Sequence, residues 1–148
     1  MSLRNRIEVM HGVNLSELGR RDSAVYGDLS YPQLERDVTG FAGELGLEVR
    51  FFVSNHEGEF VDHLHRLGDL ADGILINPGA WTHYAWSIHD ALEIAGLPAV
   101  EVHLSDVDGR EPWRRTSVIG DLCFARVTGQ GVAGYREALE RLRAELAR

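Results

Sequence analysis

The chain has no lysine; all 15 of its Lys+Arg residues are arginine. Chemistry that forms an imine on a lysine amine is therefore excluded. Cysteine is nearly missing as well. Cys123 stands alone, which excludes an internal disulfide framework and a cysteine-based zinc site and suits a reducing cytoplasm. No apolar run approaches membrane-spanning length and no signal-peptide pattern is read, so the expectation is a cytoplasmic protein without a membrane partner. A formal net charge of −8 argues against nucleic acid as the main partner. An anionic ligand would have to be held by local arginine or backbone N–H groups. No phosphate-binding glycine fingerprint, neither GxGxxG nor GxxxxGK(S/T), is read in the chain, so no nucleotide cofactor is expected. His83 and His89 have no HExxH arrangement around them, and Ser105 lacks a GxSxG elbow, so neither a zinc site nor a serine hydrolase is expected. Cys123 reads as a structural thiol within a strand.

What is present suits one domain spanning 1–148. The 148 residues are 44% hydrophobic and 26% charged, the composition of an ordinary globule with a real core. Residues 72–95 carry the clearest pattern. Gly73-Ile74-Leu75-Ile76 is a short apolar run of the kind buried on both faces of a parallel sheet. Asn77-Pro78-Gly79-Ala80 breaks it, Thr82 reads as an N-cap, and Ala85, Ile88, Leu92 and Ala95 follow at helical spacing until Gly96 and Pro98. A buried strand feeding a helix is half of a βαβ unit, whose pocket lies at the strand's carboxyl end.

The rest of the chain repeats that alternation. Strands are predicted at 7–10, 47–53, 98–104 and 122–127. Ser30-Tyr31-Pro32-Gln33 is a capping box that starts a helix with Leu34, Val38, Phe41 and Leu45 inward. A second helix turns Phe60, Leu64 and Leu67 inward, with His63 and His65 solvated or paired with carboxylates. Tyr135, Ala138, Leu139, Leu142 and Leu146 mark the last helix. Residues 19–27 have no period and read as a lid-like loop. Met1-Ser2-Leu3 is given no structural weight. The order β-α-β-α-β-α-β-loop-β-α, with right-handed crossovers, implies an α/β, flavodoxin-like, five-stranded parallel sheet flanked by helices.

A pocket at the strand ends would gather Asn14, Arg21, Tyr26, Asn77, His83, His103, Ser105 and Arg114. Glu101 and His103 lie two apart and share a sheet face. The set is rich in acid–base groups and poor in nucleophiles, which suggests proton transfer on a small polar molecule.

The pieces HGVNLSELGRRDSAVYG, SNHEGE, INPGAWTH, EVHLS, REPWRRTS and GYREAL occur in that order. Together they resemble the type II 3-dehydroquinate dehydratases, lyases of the shikimate pathway, across nearly the whole chain. The resemblance implies dehydration of 3-dehydroquinate to 3-dehydroshikimate through an enolate, with neither metal nor cofactor. It implies Tyr26 as the base, acting as phenolate; a free phenol has a pKa of about 10 and needs nearby cations to ionise at neutral pH. Arg21 matches the arginine for that task, Asn14 the asparagine that helps hold the enolate oxygen, and His103 the general acid, with Glu101 as its support. Asn77, His83 and Arg114 match residues that grip substrate hydroxyls. Leu104 and Ser105 match the carboxylate cradle. Asp90 matches a residue supplied across a subunit interface, in trimers that assemble into a dodecamer.

Some positions depart from the family's pattern. The first turn reads His11-Gly12-Val13-Asn14 where NGPN is usual, which places a titratable group near the pocket. Asp106 and Asp108 stand where Asn and His are usual, and the added negative charge leads to an expectation of weaker substrate binding. Two alternatives stay open on the residues alone: a paralogue acting on another cyclic hydroxy-ketone, and a domain that binds a small carboxylate without turning it over.

Overall fold

Among residues 3–148, those described by the computed structural model, five strands form one sheet. They are β1 (Arg6–His11), β2 (Glu48–Val53), β3 (Gly73–Asn77), β4 (Ala99–His103) and β5 (Ala125–Thr128). Met1 and Ser2 lie outside the described residues. Every pairing is parallel and the order is β2-β1-β3-β4-β5, the flavodoxin-like order. Successive connections leave β1 in opposite directions, so the crevice between the ends of β1 and β3 is the topological switch point.

The helices are α1 (Ser23–Tyr26), α2 (Tyr31–Glu44), α3 (Glu57–Arg66), α4 (Trp86–Ala95) and α5 (Ala133–Leu146). Strand alternation sorts the core into two layers. Ile7, Val9, Leu75, Val100 and Val102 face one side, where Leu34 and Val38 of α2 and Tyr135, Leu139 and Leu142 of α5 cover them. Met10, Ile74 and Ile76 face the other, under Phe60 and Leu64 of α3 and Ile88 and Leu92 of α4. Each of these large side chains, fully buried, stabilises the fold by roughly 2 kcal/mol. β3 and β4 are buried throughout, whereas in the edge strand β2 Glu48, Arg50 and Val53 are exposed and Val49, Phe51 and Phe52 are half-buried.

The capping box forms as written: Gln33 N–H donates to Ser30 Oγ at 3.3 Å, and Ser30 N–H donates to Gln33 Oε1 at 2.9 Å. Leu34 and Val38 are fully buried, while Phe41 and Leu45 pack half-buried at the flank of the same core. His63 pairs with Glu8 at 2.6 Å, and His65 is exposed.

Three expectations need correction. Thr82 is not an N-cap. It lies in a 3₁₀ turn (Gly79–His83) and donates its hydroxyl to Glu101, so α4 begins only at Trp86, after Ala85. Bonding to a buried carboxylate outweighs local capping. The fifth strand is shorter and later than 122–127, because Leu122 N–H turns back to the Ile119 carbonyl and only Ala125–Thr128 runs alongside β4. Cys123 therefore sits in the turn before β5, half-buried, and burial pushes its thiol far above the ordinary range. Residues 19–27 are not wholly irregular: Asp22 caps the single-turn α1, its side chain accepting from Ala24 N–H at 3.0 Å.

Two glycines let the turns after β1 and β3 cross at the switch point. A Cβ on Gly12 would stand 2.2 Å from the Pro78 carbonyl oxygen, and one on Gly79 would stand 2.5 Å from that of Val13. Gly79 also has φ +68°, which suits glycine. Backbone against backbone cannot yield as a flexible side chain can. Gly12→Ala should therefore destabilise the fold by about 3 kcal/mol, read as a lower urea midpoint; an unchanged midpoint would contradict the close crossing.

Candidate active site

Where the turns cross, the strand ends enclose a cavity of about 150 Å³. Asn14, Arg21, Tyr26, Asn77, His83, His103, Leu104, Ser105 and Arg114 all line it, and so does Arg110. The predicted set therefore converges, with two exceptions. Glu101 lies behind His103, fully buried. Asp90 lies on the exposed face of α4, beside His89 at 2.9 Å, and does not line this cavity.

The turn after β1 delivers Asn14 in an unusual backbone state. Its φ of 69° makes it the one non-glycine residue with positive φ among the described residues, a conformation asparagine tolerates better than most. Its N–H is held by Asn55 Oδ1 at 2.8 Å.

Tyr26 ends α1 with its hydroxyl between two guanidiniums. Arg21 Nη2 donates to Tyr26 Oη at 2.6 Å and Arg110 Nη1 at 2.8 Å. The Arg21 Cζ also lies 3.9 Å from the centre of the ring. Two cationic donors on one phenolic oxygen stabilise negative charge there. Arg110 was not among the predicted site residues. The signal for it was a basic residue five positions past Ser105 on the same loop, whose hydroxyl it reaches at 3.4 Å.

Opposite partners hold the two imidazoles. His103 Nε2 meets Glu101 Oε2 at 2.6 Å. Glu101 also accepts from the Thr82 and Ser117 hydroxyls, each at 2.6 Å, and Arg126 Nε stands 3.5 Å away. Burial pushes the Glu101 carboxyl up, but the His103 bond and charge and the two hydroxyls overcome it and hold the group at about 2. With Nε2 engaged, Nδ1 of His103 has no protein partner among the described residues. His83 instead donates Nδ1–H to the Thr116 carbonyl at 2.7 Å. Burial holds the His83 imidazole below its ordinary 6.5, the Thr116 bond opposes this, and the His103 and Arg114 charges add to the lowering. The two rings stack with centroids 6.4 Å apart.

Arg114 lines the cavity with its Nε on Glu111 at 2.8 Å. Asp106 and Asp108 are exposed and neither lines the cavity, and Asp108 faces Arg126 at 3.4 Å. His11 lies near the cavity but does not line it. It is fully buried behind the cavity rather than on its wall, and burial lowers it from 6.5 to about 3.

Contrary to the sequence reading, a GxGxxG spacing does occur, at Gly129, Gly131 and Gly134, running from the turn after β5 into the first turn of α5. The N–H groups of its three glycines are committed to the fold, donating to the Ser105, Leu104 and Gly131 carbonyls. Among the described residues, no group of three His, Cys, Asp or Glu side chains could hold a metal ion, and no helix is long and apolar enough to cross a membrane.

Comparison with known proteins identifies the family. The pattern of the family described as Dehydroquinase class II matches residues 5–143. The 3-dehydroquinate dehydratase of Thermotoga neapolitana is 49% identical over 138 residues, covering 93% of this chain and 94% of that protein. That of Thermotoga maritima is 45% identical over 141 residues, covering 95% and 96%. The crystal structure of a type II dehydroquinase from Butyrivibrio crossotus superposes with a TM-score of 0.90 at 38% identity, covering 94% of this chain and 97% of that one. The cavity at the β1/β3 switch point thus belongs to a chain that is a member of the class II (type II) dehydroquinase family.

Proposed function

We propose that this chain dehydrates 3-dehydroquinate to 3-dehydroshikimate, with Tyr26 as base and His103 as acid. The observation that carries the reading is the meeting, in one cavity, of a phenolic oxygen held by two arginines and an imidazole backed by a buried carboxylate.

Tyr26, as phenolate balanced by Arg21 and Arg110, takes a proton from the carbon next to the ring ketone. The electron pair moves onto the ketone oxygen as an enolate. Asn14, in its left-handed turn, helps hold that oxygen, a preorganised form of electrostatic stabilisation. The enolate then collapses to the enone as the hydroxyl leaves, and His103 Nδ1 supplies the proton that makes it water. Glu101 balances the charge of the imidazolium and fixes its ring. Asn77, neutral His83 and Arg114 hold the ring hydroxyls. The Leu104 and Ser105 end of β4 takes the carboxylate. The sequence needs no metal or other cofactor. The single half-buried thiol is compatible with work in a reducing cytoplasm.

The same reading makes the working enzyme a homo-oligomer of trimers assembled to a dodecamer, with Asp90 completing a neighbour's site. Its support is placement: Asp90 is exposed and outside its own chain's cavity, on a helix that also exposes Trp86 and Ile94.

The rise of enone absorbance on adding 3-dehydroquinate measures the reaction directly. Tyr26→Phe should lower kcat at least a hundredfold, roughly the value of a positioned base, with the fold intact by circular dichroism. His103→Ala should do the same, and retention of most activity would refute the assignment of the acid. Binding without any absorbance change in the native chain would instead favour a carboxylate sensor. Mixing inactive Asp90→Ala and Tyr26→Phe chains should restore activity if the site is shared, since some sites then receive both intact residues.

Glu101 also predicts a pH dependence of stability. Its folded value of about 2 lies below the ordinary 4.5, so its contribution is complete above pH 4.5 and fades as pH falls toward 2. The urea midpoint should fall less steeply over that window in Glu101→Gln than in the native chain.

A further inference from the structure

Behind the cavity, four polar side chains form a string across the sheet. Tyr31 Oη meets His11 Nδ1 at 2.9 Å, His11 Nε2 meets Tyr135 Oη at 2.9 Å, and Asn77 Nδ2 donates to Tyr135 Oη at 3.1 Å. Local structure sets the string. His11 and Asn77 are paired at the ends of β1 and β3, so their side chains emerge on one face. Tyr31 and Tyr135 come from the first turns of α2 and α5, which cover that face. His11 and Tyr135 are both fully buried, Asn77 is 3% exposed, and only Asn77 lines the cavity.

Counting donors and acceptors gives the string a direction. The Asn77 carboxamide is oriented, because its Oδ1 accepts Gly79 N–H at 3.1 Å. Its Nδ2 can only donate. Tyr135 is buried, so its hydroxyl proton needs an acceptor. Of the two nitrogens that meet its oxygen, only His11 Nε2 can accept. Nε2 is then bare, and the His11 proton sits on Nδ1 and goes to the Tyr31 oxygen. An imidazolium would leave the Tyr135 proton without an acceptor and would bury a charge with no carboxylate against it.

We infer that Tyr135 and neutral, Nδ1-protonated His11 are positioning residues for the reaction: their one-way hydrogen-bond string holds the Asn77 carboxamide in the orientation it presents to substrate. Asn77 spends one N–H on Tyr135 and one lone pair on Gly79. Its second N–H and second lone pair are what it offers the cavity. Without the string, the carboxamide would lose the partner that fixes its torsion, and substrate would have to order it on binding. The inference rests on the reading of Asn77 as a substrate-binding residue. Burial favours the same state of His11, whose basicity it lowers.

Two measurements on the full chain test it. Nitrogen NMR of ¹⁵N-histidine-labelled protein, with His11 assigned by its loss in His11→Gln, should show a protonated Nδ1 and a bare Nε2. The signals should not change over about pH 5 to 8, where exposed histidines titrate. A protonated Nε2, or an imidazolium, would overturn the direction.

The second measurement is a double-mutant cycle on KM for 3-dehydroquinate. Tyr135→Phe should raise KM about tenfold, the scale of one hydrogen bond, with kcat changed far less. In an Asn77→Ala background the same substitution should raise it no further. His11→Gln, which can accept from Tyr135 and donate to Tyr31, should keep KM within about threefold of native, whereas His11→Phe should behave like Tyr135→Phe. Additive effects of Tyr135→Phe and Asn77→Ala would show that Tyr135 does not act through Asn77. A native chain with no turnover would sink the reading of the reaction, and the nitrogen signals would still decide the direction of the string.

Discussion

The arrangement depends on one buried carboxylate. Glu101 is wholly inside the protein, in the middle of a strand that is buried along its length. An ionised group there is tolerated only if its oxygens are fully engaged. They are engaged by groups from four parts of the chain: His103 on its own strand, Thr82 after β3, Ser117 in the long loop, and Arg126 on β5. Because the penalty of leaving the charge unpaired is large, the carboxylate holds these segments in register with one another. The imidazole at the cavity wall is one member of that set. Its placement is therefore inherited from the core.

The other half of the site is built differently. Tyr26 sits on a single helical turn whose residues are none of them buried. It has no stripe packed on the sheet to hold it, as α2 and α5 have. Its ring packs at the edge of the core, and two guanidiniums converge on its oxygen, one from its own segment and one from the loop after β4. The cavity thus joins a wall set by the buried core to a half-buried segment whose Tyr26 packs against that core and is also held by two arginines. In an acidic protein of net charge −8, the cavity is nonetheless lined by Arg21, Arg110 and Arg114, and neither Asp106 nor Asp108 lines it.

The parts legible in advance share a cause. The capping box at Ser30, the apolar run of β3 and the stripe of α5 are local patterns, and their outcome depends on neighbours within a turn or two. Thr82 carries an equally good local signal and does something else, because Glu101, 19 residues on, competes for its hydroxyl. The start of β5 moved for a similar reason: Leu122 satisfies its N–H within its own turn, and the ladder begins only where β4 is alongside. Arg110 was passed over because nothing along the chain brings it to Tyr26, 84 residues away. His11 shows the same limit from the other side. A histidine beside a predicted strand end looks like a group for the pocket, and only the hydroxyls of Tyr31 and Tyr135 reveal it as part of the core.

By itself the sequence determined the alternation of strands and helices, the parallel sheet that follows from it, and which polar residues fall at the strand ends. These follow from periodicity, turn chemistry and chirality, which act over short stretches of chain. The tertiary structure decided which nitrogen of each histidine is engaged, which arginines reach the phenol, and which carboxylate faces the cavity and which turns away. Those outcomes are contests among distant polar groups for a few buried partners. Their winners are set by burial and donor geometry, which exist only once the layers have packed.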